Sequence, residues 1–96
     1  METGTAFLPP VVITEVLSRP ALSENSRLIL LGVPVLDLHE GYWHRAGSMR
    51  ADVKRLKLRS GLADVLIAQS CIDHDIPLVT YDLDFRHFET AGLKLL

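Results

Sequence analysis

Helical periodicity alternating with short apolar runs predicts an α/β sandwich with a mainly parallel sheet for this 96-residue chain. Three observations carry that reading. In Gly41–Leu58 the apolar residues Trp43, Ala46, Met49, Val53 and Leu56 recur every three or four positions, which is the period of a helix buried along one face. Leu62–Asp75 is rich in Leu, Val, Ile and Ala on more than one side, as in a helix buried nearly all round. Between and after these segments, Val33–Leu38, Leu78–Tyr81 and Leu93–Leu96 are short apolar runs of strand length.

Each element has its own justification. Phe7–Arg19 contains Pro9 and Pro10, which suit a first helical turn where a backbone N–H needs no partner, so a short helix is expected there. Leu28–Leu31 is apolar and Gly32 punctuates it. Val33-Pro34-Val35-Leu36-Asp37-Leu38 then reads as a strand with proline near its start. Ser60 and Gly61 separate the two long helices, and the second ends before Pro77 because the residue preceding proline avoids the α region. Asp82-Leu83-Asp84-Phe85 is a turn, and Gly92 leads into the last strand.

Composition narrows the function classes. The length and 48% hydrophobic content fit one domain, residues 1–96, with no repeat, linker or low-complexity segment. No apolar run reaches the roughly 18 residues of a membrane span, and Met1–Leu8 lacks a signal-peptide pattern, so a cytoplasmic location is expected. The single cysteine, Cys71, offers neither an internal disulfide nor zinc-ligand spacing and reads as a small buried residue. A net charge of -2 excludes a polycation that coats nucleic acid indiscriminately. Positive charge is nonetheless concentrated in Arg45, Arg50, Lys54, Arg55, Lys57 and Arg59, interrupted only by Asp52. Taken alone, such a run is a solvated helix face.

The acids carry more information. Asp82 and Asp84 follow a strand, and an α/β sheet places its ligand site beyond the carboxyl ends of its strands. Asp64 lies in the first turn of an otherwise apolar helix. An ionised carboxylate there needs a compensating partner, or simply interacts with the helix dipole and solvent; both readings stand. Glu15, among Val12, Ile13, Val16 and Leu17, poses the same choice. Together, acids in three turns without a cysteine or histidine cluster form an oxygen-only set suited to Mg²⁺ or Mn²⁺. Such an ion activates water and neutralises a phosphodiester, and the basic stretch would then hold the nucleic-acid backbone. Trp43 reads as packing, His39, His44, His74 and His87 as surface or capping groups, Asp73 and Asp75 as solvent-facing, and Asp52 as an ion-pair partner.

The segment Leu62-Ala63-Asp64-Val65-Leu66-Ile67-Ala68, followed by His74-Asp75-Ile76-Pro77-Leu78-Val79-Thr80-Tyr81-Asp82-Leu83-Asp84-Phe85, resembles the ADxLIA helix, strand and T-x-D-x-D-F turn of the PIN domain family. Leu8–Leu17 resembles its upstream segment with a conserved glutamate. The resemblance implies a three-layer α/β/α sandwich and a metal-dependent endoribonuclease of the kind found in VapC-like toxins of toxin-antitoxin pairs. By it, Glu15, Asp64 and Asp82 would be the catalytic metal-site acids, with Asp84 as a further ligand, orienter or cap. The Thr80 hydroxyl would support a metal-site carboxylate, and Arg45, Arg50, Lys54, Arg55 and Lys57 would contact RNA. It also implies a cognate antitoxin and a homodimer as partners.

Members of that family begin with a strand ending in aspartate, in a pattern like LDTNVLI, which Met1–Thr14 does not supply. The expected domain is therefore incomplete at its N-terminus, without its central first strand. The alternative function is a catalytically inactive remnant that acts by binding an antitoxin or another subunit. A small-molecule α/β domain would want a glycine-rich phosphate loop, and the six glycines are not so arranged.

Overall fold

Proline opens the first helix as the sequence predicts: in the computed structural model, which describes residues 7–96, α1 is Pro10–Leu17 with Pro10 at its first position. Ser18 ends it, its Oγ donating to the Thr14 carbonyl at 2.6 Å. The helix α2, Glu24–Leu31, has no counterpart in the sequence reading, which marked only the apolar Leu28–Leu31. Ser23 starts it by accepting the Ser26 N–H on its Oγ at 3.1 Å, with Glu24 in the first turn where the helix dipole favours an acid. These elements lie in the first of two compact units into which the chain divides, Met1–Asp37 and Leu38–Leu96.

The second unit is built on α3, Tyr42–Arg55, and α4, Leu62–Asp73, followed by a 3-10 helix, Leu83–Ala91. Its core is a single cluster in which Ala46, Met49 and Val53 of α3 meet Val65, Ala68 and Cys71 of α4, Phe85 and Phe88 of the 3-10 helix, and Leu93. Burial of Cys71 raises its thiol pKa, as an apolar site does to any group that ionises to an anion. The buried stripe of α3 is Tyr42, Ala46, Met49 and Val53; Trp43, expected in the core, is 63% exposed. Both aromatics stand three or four residues before Ala46, so periodicity could not choose between them. Tyr42 is inside, where its hydroxyl donates to the Leu66 carbonyl at 2.8 Å.

Gly41 sets the start of α3. Its φ of +80° lies in the left-handed region, and an added Cβ would stand 2.7 Å from Arg45 Nη1. Conformation favours glycine there, and a side chain would also have to displace the Arg45 guanidinium. Lys57 and Asp75, with φ of 59° and 52°, end α3 and α4 in that same region. In each case the next N–H returns to the last helical turn, Leu58 to the Val53 carbonyl and Ile76 to Cys71.

The expected parallel sheet is not formed among the described residues. Val33–Leu38 contributes one parallel bridge, Leu8 to Val35, and Leu78–Tyr81 and Leu93–Leu96 contribute another, Leu78 to Leu95. The second is held by Leu78 N–H to the Lys94 carbonyl at 2.8 Å and Leu96 N–H to the Leu78 carbonyl at 3.1 Å. Parallel pairing is therefore correct in direction but one residue long. Each expected strand finds a bridging partner at one position only, and a ladder needs successive partners. No helix among the described residues is long and apolar enough to cross a membrane.

Candidate functional site

Two local hydrogen bonds shape the segment that carries the paired aspartates. The Asp82 N–H donates to Thr80 Oγ1 at 3.1 Å, and Asp82 Oδ1 accepts the Asp84 N–H at 2.9 Å, capping the 3-10 helix. Short polar side chains form such turns readily because they offer the backbone a nearby partner. The result holds Asp82 exposed and Asp84 half-buried two residues apart in one turn. The Thr80 hydroxyl, expected to support a carboxylate, is thus engaged by the backbone of Asp82.

Asp64 is half-buried in the first turn of α4. Its carboxylate folds back toward the residue preceding the helix: an added Cβ at Gly61 would lie 3.3 Å from Asp64 Oδ2. That position suits an anion at a helix N-terminus. The loop leading to Asp64 and the helix opened by Asp82 are tied together, since His87 Nδ1 lies 2.9 Å from the Arg59 carbonyl. This connection was not legible in the sequence, where His87 and Arg59 are 28 residues apart.

Glu15 is exposed on α1, in the first unit. Among the described residues no three His, Cys, Asp or Glu side chains form a group that could hold a metal ion. The donor chemistry of Asp64, Asp82 and Asp84 suits a hard divalent cation, while their arrangement does not by itself close a coordination shell.

The basic residues divide sharply. Arg45 is engaged in structure: Nε and Nη2 donate to the two oxygens of Asp73 at 3.1 and 2.6 Å, and Nη1 donates to the Glu40 carbonyl at 2.7 Å. Asp73, expected to face solvent, has a side chain only 7% exposed and also accepts from Gln69 Nε2 at 2.8 Å. Burial pushes the Asp73 carboxyl upward, but hydrogen bonds from Arg45 and Gln69 outweigh it and hold the group below the usual carboxylate range. Arg55 pairs with Asp52. Arg50 directs Nε to the Ser60 carbonyl at 3.2 Å, and no carboxylate of the described residues stands within ion-pair distance of Arg50, Lys54 or Lys57.

A family model described as PIN domain matches residues 1–90. A comparison with curated proteins returns no match. Members of this family are generally nucleases, typically dependent on divalent metal, so nucleic acid is their substrate class. With a match covering almost the entire length, this chain belongs to the PIN domain family.

Proposed function

We propose that this protein is a metal-dependent endoribonuclease of the VapC toxin type, hydrolysing RNA phosphodiesters and partnered by an antitoxin and a second copy of itself. The observation that carries this reading is the Thr80–Asp84 turn, which holds Asp82 and Asp84 together on a helix tied by His87 to the loop before Asp64. Asp64 and Asp82 would be ligands for Mg²⁺ or Mn²⁺, with Asp84 two residues from Asp82 as a further one, and the family resemblance alone adds Glu15 to that set. When bound, such an ion supplies an activated water and charge neutralisation at the phosphodiester. The protein's own task is to position the carboxylates and to align the RNA backbone. Alignment falls to Arg50, Lys54 and Lys57, because Arg45 and Arg55 already serve Asp73 and Asp52.

The test is hydrolysis of structured RNA in Mg²⁺. Activity that disappears in Asp64→Asn and Asp82→Asn supports the assignment, and an unchanged rate in Asp64→Asn defeats it. A second reading, an inactive domain that works by binding a partner, draws on the lack of a three-ligand group among the described residues. Mn²⁺ titration separates the two: saturable binding with turnover belongs to the enzyme, and negligible binding belongs to the inactive form.

A further inference from the structure

Beside the core, α3 and α4 border a groove of about 500 Å³ whose described lining residues all belong to the second unit, with the core residues Ala46 and Val65 at its floor. Its apolar lining is Trp43, Ala46, Gly47 and Ala51 from α3 and Leu62, Val65 and Leu66 from α4. Trp43 is 63% exposed and Leu62 58% exposed. Trp43 packs edge-on against Tyr42, ring centroids 4.9 Å apart, so its ring is held at the groove's end. Beyond the small residues in the middle, an added Cβ at Gly47 meets nothing within 4 Å. Arg50 and Lys54 complete the lining one helical turn apart, and neither has a carboxylate partner among the described residues.

We infer that this groove docks an acidic amphipathic peptide helix, with apolar side chains laid between Trp43 and Leu62 and carboxylates on Arg50 and Lys54. Length, lining and charge favour that occupant. From Trp43 to Lys54 the groove follows α3 for about 16 Å, the length of three helical turns. Its wall is apolar except for two cations, which suits a helix bearing an apolar stripe edged by acids. A nucleic-acid groove would instead present polar donors along a phosphate track and several stacking faces. Charge complementarity selects the acidic partner, because a basic helix would confront Arg50 and Lys54 directly. Occupancy would also cover two of the cations that the ribonuclease reading assigns to RNA. That competition rests on the proposed function, whereas the docking itself does not.

Trp43 is the only tryptophan in the chain and lies in the groove, so its emission reports occupancy without any activity assay. The probe is a synthetic helix of about 16 residues, with Leu at every third or fourth position and Glu elsewhere. The expected result is a saturable blue shift of Trp43 emission, absent with the same peptide carrying Lys for Glu. In Arg50→Glu/Lys54→Glu the preference should reverse, each affinity changing on the order of tenfold or more. Gly47→Phe should abolish binding by filling the groove. Its circular dichroism should match the parent, since the added group enters open space. The proposal is overturned if the Glu and Lys peptides bind alike, or if Gly47→Phe binds normally while folded. It is also overturned if a single-stranded oligouridine shifts Trp43 emission and the Glu peptide does not. A shift that follows protein concentration alone would give the groove to a second copy and end the peptide assignment.

Discussion

Asp73 and Asp82 are both aspartates of the second unit, yet their surroundings are opposite. Asp73 closes α4 with a nearly enclosed side chain held by Arg45 and Gln69. Asp82 is exposed and gives one oxygen to a backbone N–H two residues on. The first carboxylate is saturated by protein donors and anchors α3 to α4. The second is exposed, and no Lys or Arg of the described residues stands within ion-pair distance of it. Burial and partners, rather than residue type, separate the structural acids from the candidate functional ones.

The contrast breaks most visibly in activity. Asp82→Asn should reduce Mg²⁺-dependent RNA hydrolysis on the order of a hundredfold or more, with thermal stability nearly unchanged. Parent-like turnover would remove Asp82 from the site. Asp73→Ala should do the reverse, costing about 1–3 kcal/mol by leaving the Gln69 amide without its partner, as read from denaturant unfolding. Its pH dependence sharpens the point. A carboxyl held below its unfolded value near 3.9 contributes stability above that pH and loses it as pH falls through the folded value. The parent should therefore lose stability in acid faster than Asp73→Asn; parallel curves would contradict the depressed carboxyl.

Gly41→Ala should cost about 1–2 kcal/mol from the left-handed backbone alone. The new methyl group must also displace Arg45 Nη1, so the loss should shrink when Asp73 is already Ala. Strict additivity in that double mutant would show that the glycine and the ion pair are independent. Smallest of these effects, Tyr42→Phe should cost about 1 kcal/mol, the hydrogen bond to Leu66, with the ring still packed. A neutral change in calorimetry would mean that the buried aromatic is held by packing alone.

Much of the second unit was legible in the sequence because helical periodicity is a local signal. The reading of Gly41–Leu58 and Leu62–Asp75 as helices agrees with Tyr42–Arg55 and Leu62–Asp73 within a few residues. The Asp82–Asp84 turn was equally visible, since its hydrogen bonds span two residues. What escaped depends on distant partners. Asp73 read as solvent-facing because Arg45 lies 28 residues away, and Trp43 read as core because periodicity does not resolve adjacent aromatics. The strands were placed on apolar runs, but sequence runs do not count hydrogen-bonding neighbours, and each bridge has one rung. Helix α2 is not legible because its apolar half, Leu28–Leu31, is a continuous run and its start rests on the single Ser23 cap.

The lone thiol of Cys71 has a practical consequence. Enclosed between α3, α4 and the 3-10 helix and kept protonated by that enclosure, it can be alkylated only when those helices part. Its labelling half-life therefore clocks the breathing of the second unit, and mutations that loosen the Arg45 clamp should shorten that half-life before any melting curve registers them.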